Sequence, residues 1–271
     1  MHGIAELGFT RCNDVSRLAH LYQQDPIRVL FPNHPPAEPP LAAVVTTSGG
    51  LVGGDRLDLS CRIDQDAAAL VTMQAAEKVY RSAGSDCDLS VTLDVAAGGW
   101  LEWLPQETIL FEGARLRRVT RATVAPGARL LAGEMLVFGR TARGERLTAG
   151  LVRDAWEVWR GDRLIWADAL HLDGDLGAVL ANPVCFDNAV AVATAIYVAE
   201  DAGRRLDLAR DLLGDAPEGL RAAATLVNGV LVVRWLGRDA FPLRQSFGAF
   251  WAGFRANVAG LVPELPRLWH V

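Results

Sequence analysis

The sequence predicts a mainly β fold: a layered, solenoid-like β-helical body, followed by a C-terminal third that mixes strands with two or so α-helices. Three observations carry that expectation. Between residues 41 and 172, runs of alternating apolar and polar residues follow one another, many separated by Gly or Pro-Gly. A weak repeat of strand, tight turn and strand recurs at Ile63–Leu70, Val95–Glu102 and Val124–Leu131, with starts 32 and 29 residues apart. Helical spacing of large side chains comes late, in Phe247, Phe250, Trp251, Phe254 and Val258. A period near 30 residues with β content is what stacked strand layers produce. An ordinary β-sandwich competes with it, because tight turns have few sequence solutions.

Taken in order, residues 1–40 are weakly patterned. Pro32-Asn-His-Pro-Pro-Ala-Glu-Pro-Pro40 suits neither a helix nor a central strand, so an extended arm with a solvated His34 is expected. The β-body is expected at 41–172 and the mixed segment at 173–271, all in one domain. Within the body, Thr46–Leu57 holds two glycine pairs, Gly49-Gly50 and Gly53-Gly54, which predict two sharp turns. A strand follows, with Leu57, Leu59, Cys61 and Ile63 on one face and Asp58, Ser60 and Arg62 on the other. A phosphate cradle would need a helix directly after the glycines and a Lys-Ser/Thr pair, and neither is present. Leu89, Val91, Leu93 and Val95 alternate in the same way, and 115–124, 129–138, 151–159 and 163–172 are further strand-like runs.

In the last third, the β-branched run 189–198 predicts a buried strand. Residues 206–213 predict a short helix before Gly214-Asp215-Ala216-Pro217. Asn228-Gly229 predicts a hairpin. Pro242 near the start and Gly260 after the end bracket an amphipathic helix whose aromatic face is either core or a partner-binding surface.

The composition narrows the function. A formal net charge of −5 lacks the basic footprint of non-specific nucleic-acid binding. No run of 18 apolar residues suggests a membrane span. The first residues show no signal-peptide pattern, so a cytosolic location is expected. The 4 cysteines contain no CxxC pair, which argues against a disulfide framework or a structural zinc site. Of the 27 basic residues only Lys78 is a lysine, a bias expected of a GC-rich genome.

No catalytic motif stands out. Ser48 and Ser82 have no histidine nearby, there is no GxSxG elbow, and the 5 histidines show no HExxH spacing. The informative groups are acids in apolar strands: Glu102, Glu134 and Asp168. Each either faces solvent or is buried with a partner, since an unpaired buried charge costs several kcal/mol. A polar lumen would hydrate them, and carboxylates are also hard oxygen ligands of moderate affinity for late divalent metals. A β-rich hydrolase or isomerase using Glu134 or Asp168 as general acid or base is an alternative, and a purely structural binding module is another.

Several motifs together resemble one family. Ser48-Gly-Gly-Leu-Val-Gly-Gly-Asp-Arg-Leu57, Gln74-Ala-Ala-Glu-Lys-Val-Tyr-Arg-Ser82 and Leu101-Glu-Trp-Leu-Pro-Gln-Glu-Thr-Ile109 occur in order. Pro126–Leu131, Gly133-Glu134 with Gly139-Arg140, Leu231–Arg238 and Pro266-Arg-Leu-Trp269 continue the series. Together they resemble the urease accessory protein family UreD, also called UreH, over about residues 40–271. The resemblance implies a β-helix-like, non-enzymatic scaffold for urease maturation, with nickel in transit rather than permanently bound. It implies the partners UreF, the GTPase UreG reached through UreF, and apo-urease. A water-filled tunnel lined by polar and acidic residues is the implied nickel route, and the motifs place Asp55, Glu134 and Asp168 on it as transient ligands. Glu77 stands where the family usually has Thr or Ser, which either adds an acid beside the route or turns that side chain outward. The resemblance also makes Phe247, Phe250, Trp251 and Phe254 candidates for docking UreF.

Overall fold

In the computed structural model, which describes residues 1–270, the thirty-residue repeat becomes a stack of parallel coils. The chain opens with β1 (His2–Cys12), β2 (Val15–Gln24), β3 (Ile27–Leu30) and β4 (Leu41–Thr46). One coil comprises β5 (Arg56–Ile63), β6 (Ala68–Met73) and β7 (Glu77–Val79). The next comprises β8 (Cys87–Val95), β9 (Trp100–Leu104) and β10 (Thr108–Leu110). A third runs through β11 (Arg115–Val124) and the long β12 (Arg129–Phe138). The hairpin β13 (Ala149–Arg160) and β14 (Arg163–Asp175) follows, then α1 (Leu176–Ala181), β15 (Ala191–Val198) and α2 (Leu206–Leu213). The hairpin β16 (Leu220–Val227) and β17 (Val230–Gly237) precedes α3 (Ala240–Ala259).

Two sheets form the walls. The first has the order β14-β13-β11-β8-β5-β1-β2 and the second β16-β17-β15-β12-β9-β6-β4-β3. β7 and β10 run beside the end of β12 as a narrow third face. The repeat predicts the register: Ile63 and Val124 both lie opposite Val95, while Ala68 and Arg129 both lie opposite Trp100. The three repeat copies thus occupy neighbouring layers of a β-solenoid. In the first wall the parallel ladder β1-β5-β8-β11-β13 is closed by antiparallel β2 and β14. In the second, β4-β6-β9-β12 is closed by antiparallel β3 and β15.

The N-terminal segment is more regular than the weakly patterned arm expected at 1–40. Residues 2–30 form three strands that join both walls, and only 31–40 lacks a strand. The inward face of β1, Ala5, Leu7 and Phe9, is fully part of the interior core. Its alternation is masked by Gly3, Gly8 and Thr10, and β2 is an edge strand with mostly exposed side chains. The predicted strands 115–124 and 129–138 and the predicted helix 206–213 match β11, β12 and α2. The short helix α1 is additional, with Asp175 accepting a hydrogen bond from the Ala178 N–H at its N-terminus.

Two apolar layers hold the fold. One fills the coils and includes Phe9, Ile63, Leu93, Val124 and Leu130. The other lies outside the second wall, beneath α2 and α3. β12 serves both: Leu130, Ala132 and Leu136 point inward while Leu131, Met135 and Val137 point outward. Burial on both faces is why this strand reads as one continuous apolar run.

The glycine-rich stretch forms tight turns between the second wall and β5. Gly49, Gly50 and Gly54 adopt φ of 76°, 145° and 90°, which L side chains avoid. Gly133 is needed for a different reason. A Cβ there would lie 2.7 Å from the Phe247 ring, so the missing side chain lets α3 rest on β12. Among the described residues, no helix is long and apolar enough to cross a membrane.

Candidate functional site

The open end of the coils holds a cleft of about 430 Å³ between β13–β14 and β15–β17. Glu134, Asp154, Asp168, Cys185, Arg221 and Arg234 are among its lining residues. Deeper in the coils lies a cavity of about 30 Å³, lined in part by Thr46, Glu77, Trp103, Thr108, Arg118 and Glu134. That volume holds roughly one or two waters, and its polar groups suit them. Glu134 lines both spaces.

The wall between them is built by strand alternation. Glu134 falls on the inward face of β12 and is 4% exposed. Arg118 on β11 lies directly opposite Asp154 on β13, and both also face inward. Arg118 donates from Nε and Nη2 to the two oxygens of Asp154, each at 2.8 Å. This is the bidentate fork that fixes a guanidinium best. The remaining nitrogen, Nη1, lies 2.6 Å from Glu134 Oε2 and donates to Thr108 Oγ1 at 3.2 Å. The other Glu134 oxygen accepts a long 3.4 Å bond from the Trp103 indole N–H.

One buried guanidinium therefore serves two buried carboxylates, and with both ionised the group carries a net negative charge. Burial pushes the Glu134 carboxyl up to about 7, and the Asp154 charge adds to that, while Arg118 and the Trp103 N–H oppose it. Burial alone would lower the Arg118 proton affinity, but Asp154 and Glu134 raise it overall, so Arg118 stays charged.

The folded state keeps a proton on Glu134 that the unfolded chain releases at its ordinary value of 4.5. This contribution to stability is complete below that value and is lost as pH rises toward about 7. The unfolding free energy of the wild type, from denaturant titrations, should fall between about pH 5 and about pH 7. Glu134→Gln should remove that part of the slope, and an unchanged slope would place the titration elsewhere.

The other sequence candidates divide. Asp168 on β14 is half-buried, lines the cleft with Glu134, and is held by Arg234 at 2.6 Å. Glu77 turns toward the inner cavity, accepting from Thr46 Oγ1 at 2.6 Å and from the Lys78 N–H at 3.0 Å. Burial raises its proton affinity against both hydrogen bonds. Asp55 lines neither space. It accepts from the Val52 N–H at 2.8 Å, closing the second glycine turn, and pairs with the Met1 amine at 2.7 Å. Glu102 points out of the coils, beneath α3.

The aromatic face of α3 is enclosed by the chain's own second wall. Phe247, Phe250, Trp251 and Phe254 are each at most 1% exposed. Phe247 and Phe250 meet Trp235 edge to face at 5.2 and 5.3 Å, and Phe254 meets Tyr197 at 5.1 Å. The solvent side of the helix carries Phe241, 65% exposed, in a groove closed by residues 263–270.

Sequence reasoning missed Arg118 and Asp154. The adjacent pair Arg117-Arg118 was the available signal: on a strand, neighbours point to opposite faces, so one arginine had to enter the coils. Asp154 sits in Leu-Val-Arg-Asp-Ala-Trp, an acid among apolar strand residues like Glu134. Among the described residues, no group of three or more His, Cys, Asp or Glu is placed to hold a metal ion.

Comparisons with known proteins agree along the whole chain. The family model described as "UreD urease accessory protein" matches residues 1–270. A urease accessory protein UreD of Magnetococcus marinus is 48% identical over 274 residues, covering 100% of this chain and 94% of that protein. One from Methylobacterium sp. (strain 4-46) is 43% identical, covering 94% of this chain and 89% of that protein. One from Granulibacter bethesdensis is 41% identical, covering 89% of this chain and 99% of that protein.

Proposed function

The chain belongs to the UreD family of urease accessory proteins, and from that premise we propose that it passes nickel through its coils. It acts in urease maturation as an accessory protein rather than an enzyme. This displaces the general acid–base alternative for Glu134 and Asp168. The observation that carries the proposal is the position of Glu134. It is a deeply buried carboxylate facing both the outer cleft and the inner cavity, in a group with fewer cationic than anionic side chains.

A conduit must admit the ion and also release it, so each site on it binds weakly. A site with a dissociation constant near ~1 μM already represents about 8 kcal/mol, and much tighter binding slows departure. Single carboxylates spaced along a hydrated path meet that demand. Asp168 stands at the cleft, Glu134 at the wall and Glu77 in the inner cavity. Asp55 serves through the turn it closes rather than as a ligand at either space. The assembly partners are UreF, UreG through UreF, and apo-urease. UreF docks on the solvent side of α3 around Phe241, since the opposite aromatic face is occupied.

Glu134→Ala and Asp168→Ala should leave folding and UreF binding nearly intact. Each should lower the nickel content and activity of urease matured at limiting nickel. Normal urease activation by both variants would reject the conduit and leave a scaffold.

A further inference from the structure

A positive charge stands at the wall between the two spaces of the proposed path. Arg118 is 2% exposed, and its guanidinium lies against Glu134 at the place where the two spaces meet. A fixed cation at the centre of a cation path is a barrier unless it yields. The geometry says which contact yields. Two nitrogens are committed to Asp154 in a fork, while Glu134 has one guanidinium corner and a long indole bond.

We propose that Arg118 is the specificity-determining residue of the passage. On this reading, which rests on the conduit, a divalent cation crosses by taking the place of the Arg118 Nη1 corner on Glu134. Asp154 keeps the displaced arginine tethered, and Arg118 closes on Glu134 again once the ion has moved on. The crossing is an exchange of one cation for another, so Glu134 is never left as a bare buried carboxylate, which would be costly. Competition from the tethered guanidinium also lowers the net affinity of the site, as release requires. The same competition selects by charge. A divalent ion at a given distance gains twice the Coulomb attraction of a monovalent one, so the monovalent ion does not displace a guanidinium already in place.

The test removes the competitor. Arg118→Met fills a similar volume without charge and leaves Glu134 and Asp154 facing the same space. In the accessory complex purified with this chain, the variant should bind Ni²⁺ with a dissociation constant at least about tenfold lower than the wild type, a difference of about 1.4 kcal/mol. It should retain the ion through desalting and activate urease less at limiting nickel, because the ion is held. If two unpaired acids prevent folding, Arg118→Met/Asp154→Asn removes the cation and its clamp together. It should show the same tighter binding, and adding Glu134→Gln should abolish it. Wild-type Ni²⁺ affinity in the folded Arg118 variants would overturn the exchange and make Arg118 a structural tie. If Glu134→Gln blocks urease activation while the Arg118 variants bind Ni²⁺ like the wild type, the conduit stands without the exchange.

Discussion

Phe250→Asp should abolish the soluble folded chain. Phe250 is 1% exposed and lies between α3 and the second wall, stacked on Phe254 at 5.2 Å and edge to face with Trp235 at 5.3 Å. Truncating such a ring costs about 3–5 kcal/mol, and an aspartate in its place adds the cost of an unpaired buried charge. Typical domains have about 5–15 kcal/mol in total, so one substitution removes a large part of it. Phe241→Asp is the control, on the same helix but 65% exposed. It should change stability by about 0.5 kcal/mol or less and reduce co-purification with UreF. Thermal melts and pulldowns of the two variants distinguish the core side of α3 from the proposed docking side. Equal melting of Phe250→Asp and wild type would mean that the helix is not a core layer.

The second large effect is expected at the buried network beneath α3. Arg255, 1% exposed, donates to Glu102 from Nε at 2.9 Å and from Nη2 at 3.0 Å, and to Glu38 at 2.5 Å. Its Nη1 donates to the Val262 carbonyl at 2.7 Å. Glu102 is fully buried and also accepts from the Trp251 and Trp100 indoles at 2.8 and 3.2 Å. Arg255→Met leaves Glu102 without its cation and should destabilise by about 3–5 kcal/mol. Glu102→Leu/Arg255→Met should recover part of that loss, because the uncompensated charge is gone while the Trp100 and Trp251 N–H groups lose their acceptor. Hydrogen exchange adds a local readout. The Glu38 N–H, which donates to the Pro35 carbonyl, and the Val262 N–H, which donates to the Glu38 side chain, should lose protection in the single variant. A double variant no more stable than Arg255→Met would mean that the two side chains do not act as a pair.

The coil architecture was legible because its cause is local. Apolar residues at every second position, and turns recurring near thirty residues, impose parallel stacking wherever they occur. The joins of the stack were less so. β1 was hidden because Gly3, Gly8 and Thr10 interrupt its pattern, and its identity as a wall strand depends on pairing with β5, 54 residues away in the case of His2 and Arg56. The site was half legible for a related reason. Glu134 and Asp168 stand out as charges among apolar neighbours, whereas the partner of Glu134 comes from the opposite wall, on β11. Nothing in the composition sets Arg118 apart from the other arginines; only strand alternation turns one of Arg117 and Arg118 inward. The aromatic stripe on α3 shows the limit from the other side: spacing identifies one apolar face, but what covers that face is decided by β12, β15 and β17.

The parallel ladder of the first wall also fixes a length. Neighbouring strands in a sheet lie about 4.8 Å apart, so the five strands from β1 to β13 fix an axial length of about 19 Å. That length is quantised. A coil gained or lost in evolution would move the cleft by one strand spacing and leave the cross-section unchanged. The antiparallel strands at both ends stop the count. The solenoid thus works as a ruler, setting how far apart the two ends of the proposed path can stand while the side chains between them vary.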